Sequence, residues 1–136
     1  EWSCLEDASK ALKEKKTHDT WEQGLIQIFY AVKENKPFIM NVYRCVSRER
    51  VERYLNPLTD DLVMGVVEEQ SVGMSVRDDD KQFIAKIYTY ILVGVMLDWI
   101  CDDMKEDPEQ LVERLALAIQ GNISSALERF RTDKRR

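Results

Sequence analysis

The side chains that could do chemistry in this chain are few and scattered. There is one histidine, His18, in a short polar connection. Serine or cysteine nucleophilic catalysis would have to use it as the base, and no G-x-S-x-G elbow accompanies it. Zinc needs several Cys or His ligands at suitable spacing, and helical di-iron sites need paired Glu-x-x-His motifs. Neither pattern occurs, so no metal and no cofactor is expected. His18 reads as a solvated turn residue. Cys4, Cys45 and Cys101 are far apart and odd in number, without a C-x-x-C pair. That suits a reducing cytoplasm and buried, inert thiols. The carboxylate groups Asp60-Asp61, Asp78 to Asp80 and Asp102-Asp103 fall near helix ends or on exposed faces, where solvation explains them. No glycine-rich phosphate loop is present. An enzyme is therefore not expected.

Arg44, Arg48, Arg50 and Arg53 form a basic cluster. It reads either as an anion site or, preferably, as an exposed face laced to Glu49 and Glu52. The chain as a whole carries a net charge of −5, which disfavours direct contact with a nucleic-acid backbone. The basic end, Arg129 to Arg136, reads as cations at a helix C-terminus followed by a solvated tail.

Those side chains must be positioned by helices. The 136 residues fit one domain, 44% are hydrophobic, and only 5 Gly and 3 Pro interrupt them. No useful stretch alternates in the strand period, so the fold class is all-α, a bundle of about five to six helices. Ser3 with Glu6 resembles a capping box that starts a helix through about Lys15. Asp19 or Thr20 can cap a second helix carrying Trp21, Leu25, Ile28, Phe29 and Val32. Pro37 ends it and opens a third, with Phe38, Ile39, Val42, Tyr43 and Val46 on one face. Ser47 interrupts or caps. From Arg48 to Gln70 the apolar spacing is again helical, but Pro57 lies inside it, so a break or kink at Asn56-Pro57 is expected, with Asn56 as a new cap. Ser71 to Asp80 is a loop whose acidic end favours the positive start of the next helix. That helix runs to about Met104. Asp107-Pro108-Glu109-Gln110 is the strongest helix start in the chain, and the final helix is expected to continue to about Arg131.

The helix from Asp78 onward is apolar on nearly every side, and a soluble helix of that kind needs cover from more than one direction. Lys86 and Asp98 bound its most apolar run too closely for a membrane span. Projected at 100° per residue, Phe83, Ile84, Ile87, Tyr88, Tyr90, Ile91, Gly94, Val95 and Cys101 cover about half the circumference. Val93, Met96 and Ile100 lie towards the other side. In the last helix Leu111, Val112, Leu115, Ile119, Ile123, Ala126, Leu127 and Phe130 form an inner stripe, with Leu117, Ala118, Gly121, Ser124 and Ser125 across from it. The expectation is that Val93, Met96, Ile100, Leu117, Ala118, Gly121 and Ser125 meet a second copy of the chain. The last two helices of each copy would then form a four-helix, two-fold interface.

At this point the sequence resembles a known family. Gly94-Val-Met-Leu-Asp-Trp-Ile-Cys-Asp-Asp-Met-Lys-Glu-Asp-Pro-Glu-Gln-Leu-Val-Glu-Arg-Leu115 is similar to the closing helix pair of TetR-type transcriptional regulators. Glu34-Asn-Lys-Pro-Phe38 followed by Val42-Tyr-Arg-Cys-Val-Ser47 resembles the branch related to regulators of dihydroxyacetone kinase genes. The resemblance implies a homodimeric, bacterial, cytoplasmic regulator with a small-molecule effector and no membrane contact. It implies a DNA-binding helix-turn-helix ahead of the domain. None is readable in Glu1 to Lys36, so residues 1–16 would be the tail of a connecting helix and 17–136 the effector-binding and dimerisation domain. The chain starts with Glu1 rather than Met, which fits a piece that touches DNA only through the missing part. The resemblance also implies a ligand pocket among the middle helices, where Phe29, Met40, Tyr43, Met64, Tyr88 and Trp99 are the candidates. The rival expectation is a helical protein–protein interaction module without a small ligand.

Overall fold

A computed structural model of the chain describes residues 21–119 and 121–133, with backbone alone at Cys45 and Val46. The expected helix through Lys15, the caps Asp19 and Thr20, His18 and Cys4 lie outside the described residues. Within them there is no strand. Six α-helices follow in order: α1 (Trp21–Glu34), α2 (Lys36–Asn41), α3 (Arg48–Gln70), α4 (Asp78–Cys101), α5 (Pro108–Ile119) and α6 (Asn122–Phe130). A π-helical segment, Val42–Val46, joins α2 to α3.

Most helix boundaries follow from local chemistry. Pro37 lies in the first turn of α2, where its missing N–H has no helical partner to lose. Ser47 caps α3: its Oγ accepts the Arg50 N–H at 3.0 Å. A Ser47→Ala variant is expected to lose about 1 kcal/mol of stability, read as a lower urea midpoint at unchanged slope. Asp107 caps α5 with its carboxylate on the Gln110 N–H at 3.2 Å. Asp78, Asp79 and Asp80 occupy the first turn of α4, against the positive end of its dipole.

Three expectations are corrected. First, α3 continues through Pro57 without a break. Pro57 itself is exposed, while Val51, Leu55, Leu58 and Val63 on either side of it are buried. Burying four such side chains is worth about 1.5–3 kcal/mol each, more than the roughly 3 kcal/mol that one interior proline costs. Asn56 is therefore mid-helix and caps nothing. Second, α4 stops at Cys101. Asp103 and Met104 take left-handed backbone angles, φ +65° and +55°. This turn folds Met104 back into the core, at 2% exposure, with its N–H on the Trp99 carbonyl. Lys36 holds the turn from outside, donating to the Asp103 carbonyl at 2.9 Å.

Third, the expected last helix is two. Gly121 has φ +82° and separates α5 from α6. A glycine inside a straight helix would gain about 1 kcal/mol on replacement by alanine. In the left-handed region an L side chain costs roughly 1–2 kcal/mol instead. Gly121→Ala is therefore expected to destabilise by about that amount, and the sign of its urea-midpoint shift tests the joint directly.

The most extensive helix contact is α3 against α4. α1 lies across α5 and also touches α3, and α6 closes over α3 and α4. The core they enclose is mostly aliphatic. Phe29 and Trp99 meet edge to face, with ring centroids 4.9 Å apart and planes at 77°. The Trp99 indole N–H donates to the Glu106 carbonyl at 2.8 Å, fastening the α4–α5 turn. By length and composition α4 could cross a membrane, but half of its most apolar stretch is buried inside this domain.

After α6 the chain returns to the α3–α4 loop. The Thr132 N–H donates to the Ser75 carbonyl at 2.8 Å. Arg131 reaches Asp133 at 2.8 Å and Glu128 at 3.4 Å. Those guanidinium bonds hold the Asp133 carboxyl well below the usual carboxylate range.

Candidate functional site

Two surfaces could carry function. One is a narrow cleft in the domain, the other a row of apolar side chains outside it.

The cleft lies where α1, α3 and α4 converge on the α5–α6 joint. Trp21 comes from α1, and Leu62, Val63, Val66 and Gln70 from α3. Tyr88 and Leu92 come from α4, Ile119 and Ile123 from either side of the joint, and Gly121 from the joint itself. Its enclosed space is about 30 Å³, enough for one or two water molecules. The lining is mostly apolar, and its polar groups include the Gln70 amide and the Tyr88 hydroxyl. Burial raises the Tyr88 hydroxyl above its ordinary pKa, partly offset by the positive charge of Arg129. The phenol therefore stays protonated at neutral pH, available both to donate and to accept.

Of the six expected pocket residues, only Tyr88 lines this cleft. Phe29 and Trp99 are spent on each other in the core, and Met40 is buried among aliphatic neighbours. Met64 is half-buried against the core. Tyr43 is also half-buried; burial and a hydrogen bond with the Cys101 thiol raise its hydroxyl, and Arg48 opposes them. The structure thus does not bring the six together. Leu62, Val66, Gln70 and Ile123 were missed because nothing local marks them. Gly121 was the available signal, read as a small interface residue rather than as a joint beside a cleft.

The outer row lies on α4. Phe83, Ile87, Tyr90 and Ile91 are 53%, 41%, 57% and 39% exposed, and Gly94 continues the row one turn further. Their spacing of three or four residues places them on one face. The opposite face, with Val93, Met96 and Ile100 at 1% exposure or less, belongs to the domain's own core. Those three side chains, expected to meet a second copy, are covered by their own chain, whereas the outer row is not. On the closing helices Leu117 is 80% exposed, and Ala118, Gly121 and Ser125 are exposed with it.

The remaining candidates stay at the surface. Arg44, Arg48, Arg50 and Arg53 are exposed, and Arg53 pairs with Glu49 one turn away at 3.7 Å, as the laced-face reading expects. Cys101 is a free thiol and is exposed, contrary to the expectation of a buried one. Among the described residues no group of three or more His, Cys, Asp or Glu is placed to hold a metal ion.

No curated protein matches the sequence. A family model described as transcriptional regulator C-terminal region, of the TetR type, matches residues 19–121. That match takes in α1 to α5 entire, the cleft as far as Gly121, and the whole outer row on α4. With its all-helical architecture and most of its length matched, the chain belongs to the TetR family of transcriptional regulators and represents their C-terminal domain.

Proposed function

We propose that this chain is the effector-sensing and homodimerising part of a cytoplasmic bacterial transcription factor, acting on DNA through a separate helix-turn-helix. The family match over residues 19–121 carries the reading, since regulators of this family act as dimers that bind DNA and effectors. The role is regulatory rather than catalytic.

Two features of the domain support the division of labour. The α4 row Phe83, Ile87, Tyr90, Ile91 and Gly94 offers a continuous apolar face of the kind that pairs symmetrically with itself. Leu117, Ala118 and Ser125 are also exposed, on α5 and α6. The cleft around Tyr88 offers an uncharged interior with two polar handles, Gln70 and the Tyr88 hydroxyl. At about 30 Å³ it is smaller than a metabolite, so an effector enters by widening it. The joint at Gly121 is the place where α6 can swing away from α3 and α4. Because Trp21 at the start of α1 lines the same cleft, widening would move the end of the domain that leads to the upstream residues. Effector binding would then shift the balance between two arrangements of that end.

Light scattering on the purified chain and amide NMR with indole and 1-hexanol as uncharged probes test the two halves of this reading. A dimer at micromolar concentration and shifts confined to Trp21, Gln70, Tyr88 and Ile123 are the expected results. A monomer counts against the dimerising role, and shifts nowhere or spread evenly count against the cleft.

A further inference from the structure

The α3–α4 contact is apolar for most of its length but has one polar stretch. Asn56 and Asp60 on α3 face Lys86 and Thr89 on α4. Asn56, Pro57, Asp60, Lys86, Thr89 and Tyr90 line an open recess of about 270 Å³ there. It shares no residue with the cleft around Tyr88.

Groups whose bonding is incomplete lie in and beneath this stretch of the contact. The Asn56 Oδ1 is sealed from solvent and has no hydrogen-bond partner in the domain; nor has the Oγ1 of the wholly buried Thr59. A buried amide oxygen without a donor is rare in folded proteins and calls for one. Asp60 is half-buried. It accepts the Thr89 hydroxyl at 3.3 Å, which fixes the carboxylate but leaves most of its lone pairs unused. Among the described residues it has no cationic partner. Lys86 has no carboxylate partner either, and its ammonium stands 5.9 Å from the centre of the Tyr90 ring. Two opposite charges therefore line one recess without pairing with each other.

We propose that this recess binds a small zwitterion, a free α-amino acid. Its ammonium would donate to Asp60, its carboxylate would meet Lys86, and the Tyr90 and Pro57 rings would wall its aliphatic part. A simple anion would lie against Asp60, and a simple cation against Lys86. A molecule carrying both charges leaves neither protein charge unpaired. At about 270 Å³ the recess has room for a single amino acid.

The test is a thermal-shift screen of the 136-residue chain against the twenty common amino acids. Calorimetry on the best binder, its amide and its deaminated acid then follows. The expected result is saturable binding by at least one amino acid, weakened ten-fold or more in both analogues. Asp60→Asn and Lys86→Met should each weaken it ten-fold or more with unchanged circular dichroism, and Gln70→Ala in the separate cleft should leave it unchanged. No shift with any amino acid at millimolar concentration would overturn the proposal. Equal binding of the amide would overturn it in favour of a cation site. Binding that survives both charge substitutions would place the ligand elsewhere.

Discussion

Replacing Trp99 by alanine is expected to lower the stability of the chain by about 3–5 kcal/mol. The indole is 4% exposed and fills the space between α1 and α4, so truncation opens a cavity that rigid helices refill only in part. Its edge-to-face contact with Phe29 adds about 0.5–1.5 kcal/mol beyond the area buried. Its N–H also anchors the Glu106 carbonyl in the α4–α5 turn. That turn already holds Asp103 and Met104 in left-handed backbone, a conformation that needs support from its surroundings. Small domains retain only about 5–15 kcal/mol in total, so Trp99→Ala consumes a large share of it. Trp99→Phe separates the contributions. It keeps most of the apolar volume and loses the hydrogen bond, for about 1–2 kcal/mol. Urea titration at constant slope measures both. A loss below about 1 kcal/mol for the alanine variant would place Trp99 in a ligand pocket instead, where its removal costs affinity rather than stability.

Trp99 also shows which parts of this molecule are legible in its sequence. Helix starts were readable because their causes lie within four residues: Ser47 with the Arg50 N–H, Asp107 with the Gln110 N–H, Pro37 in a first turn. The burial of Leu25, Ile28, Phe29 and Val32 followed from a clear period on α1. α4 gave no such guidance. It is apolar almost all round, so its periodicity fixes that the residues are helical but not which face turns inward. That choice is made by the helices packed on α4, which leave Val93 and Met96 buried and Ile87 and Ile91 outside. Pro57 and Gly121 misled for a related reason. A local rule assigns each a cost, but tertiary packing decides whether the helix continues through it, as at Pro57, or stops, as at Gly121. The cleft was the least legible feature. Its lining comes from positions as far apart as Trp21 and Ile123, and only Tyr88 among the expected residues reaches it. The polar recess was hidden in the same way, because Asn56 and Lys86 meet only once α3 is laid on α4.

Two aspartate substitutions on α4 then discriminate between its faces. Ile87→Asp places a carboxylate in the middle of the outer row, at a position 41% exposed in the single chain. In the monomer it is solvated and costs little, so helicity and the urea midpoint of the monomer should hardly change. In a two-fold dimer through this row the same charge is buried twice without a partner. Leaving a buried charge uncompensated costs about 3–5 kcal/mol, which raises the dissociation constant more than 100-fold. The expected result is a folded monomer at concentrations where the parent chain is a dimer, by light scattering and circular dichroism on the same samples. Met96→Asp, nine residues further along but on the inner face, is 1% exposed. It exchanges a buried thioether for a buried carboxylate, so it should unfold the domain rather than dissociate it. The opposite pair of outcomes, a dimeric Ile87→Asp with a folded monomeric Met96→Asp, would put Val93, Met96 and Ile100 at the subunit boundary after all. It would also require α4 to rotate by about half a turn from the orientation in which Leu92, Met96 and Ile100 complete the core. That rotation would carry Phe83, Ile87, Tyr90 and Ile91 into the contact with α3, where Thr89 now reaches Asp60. The two-variant experiment therefore tests the interface and the seating of the longest helix together.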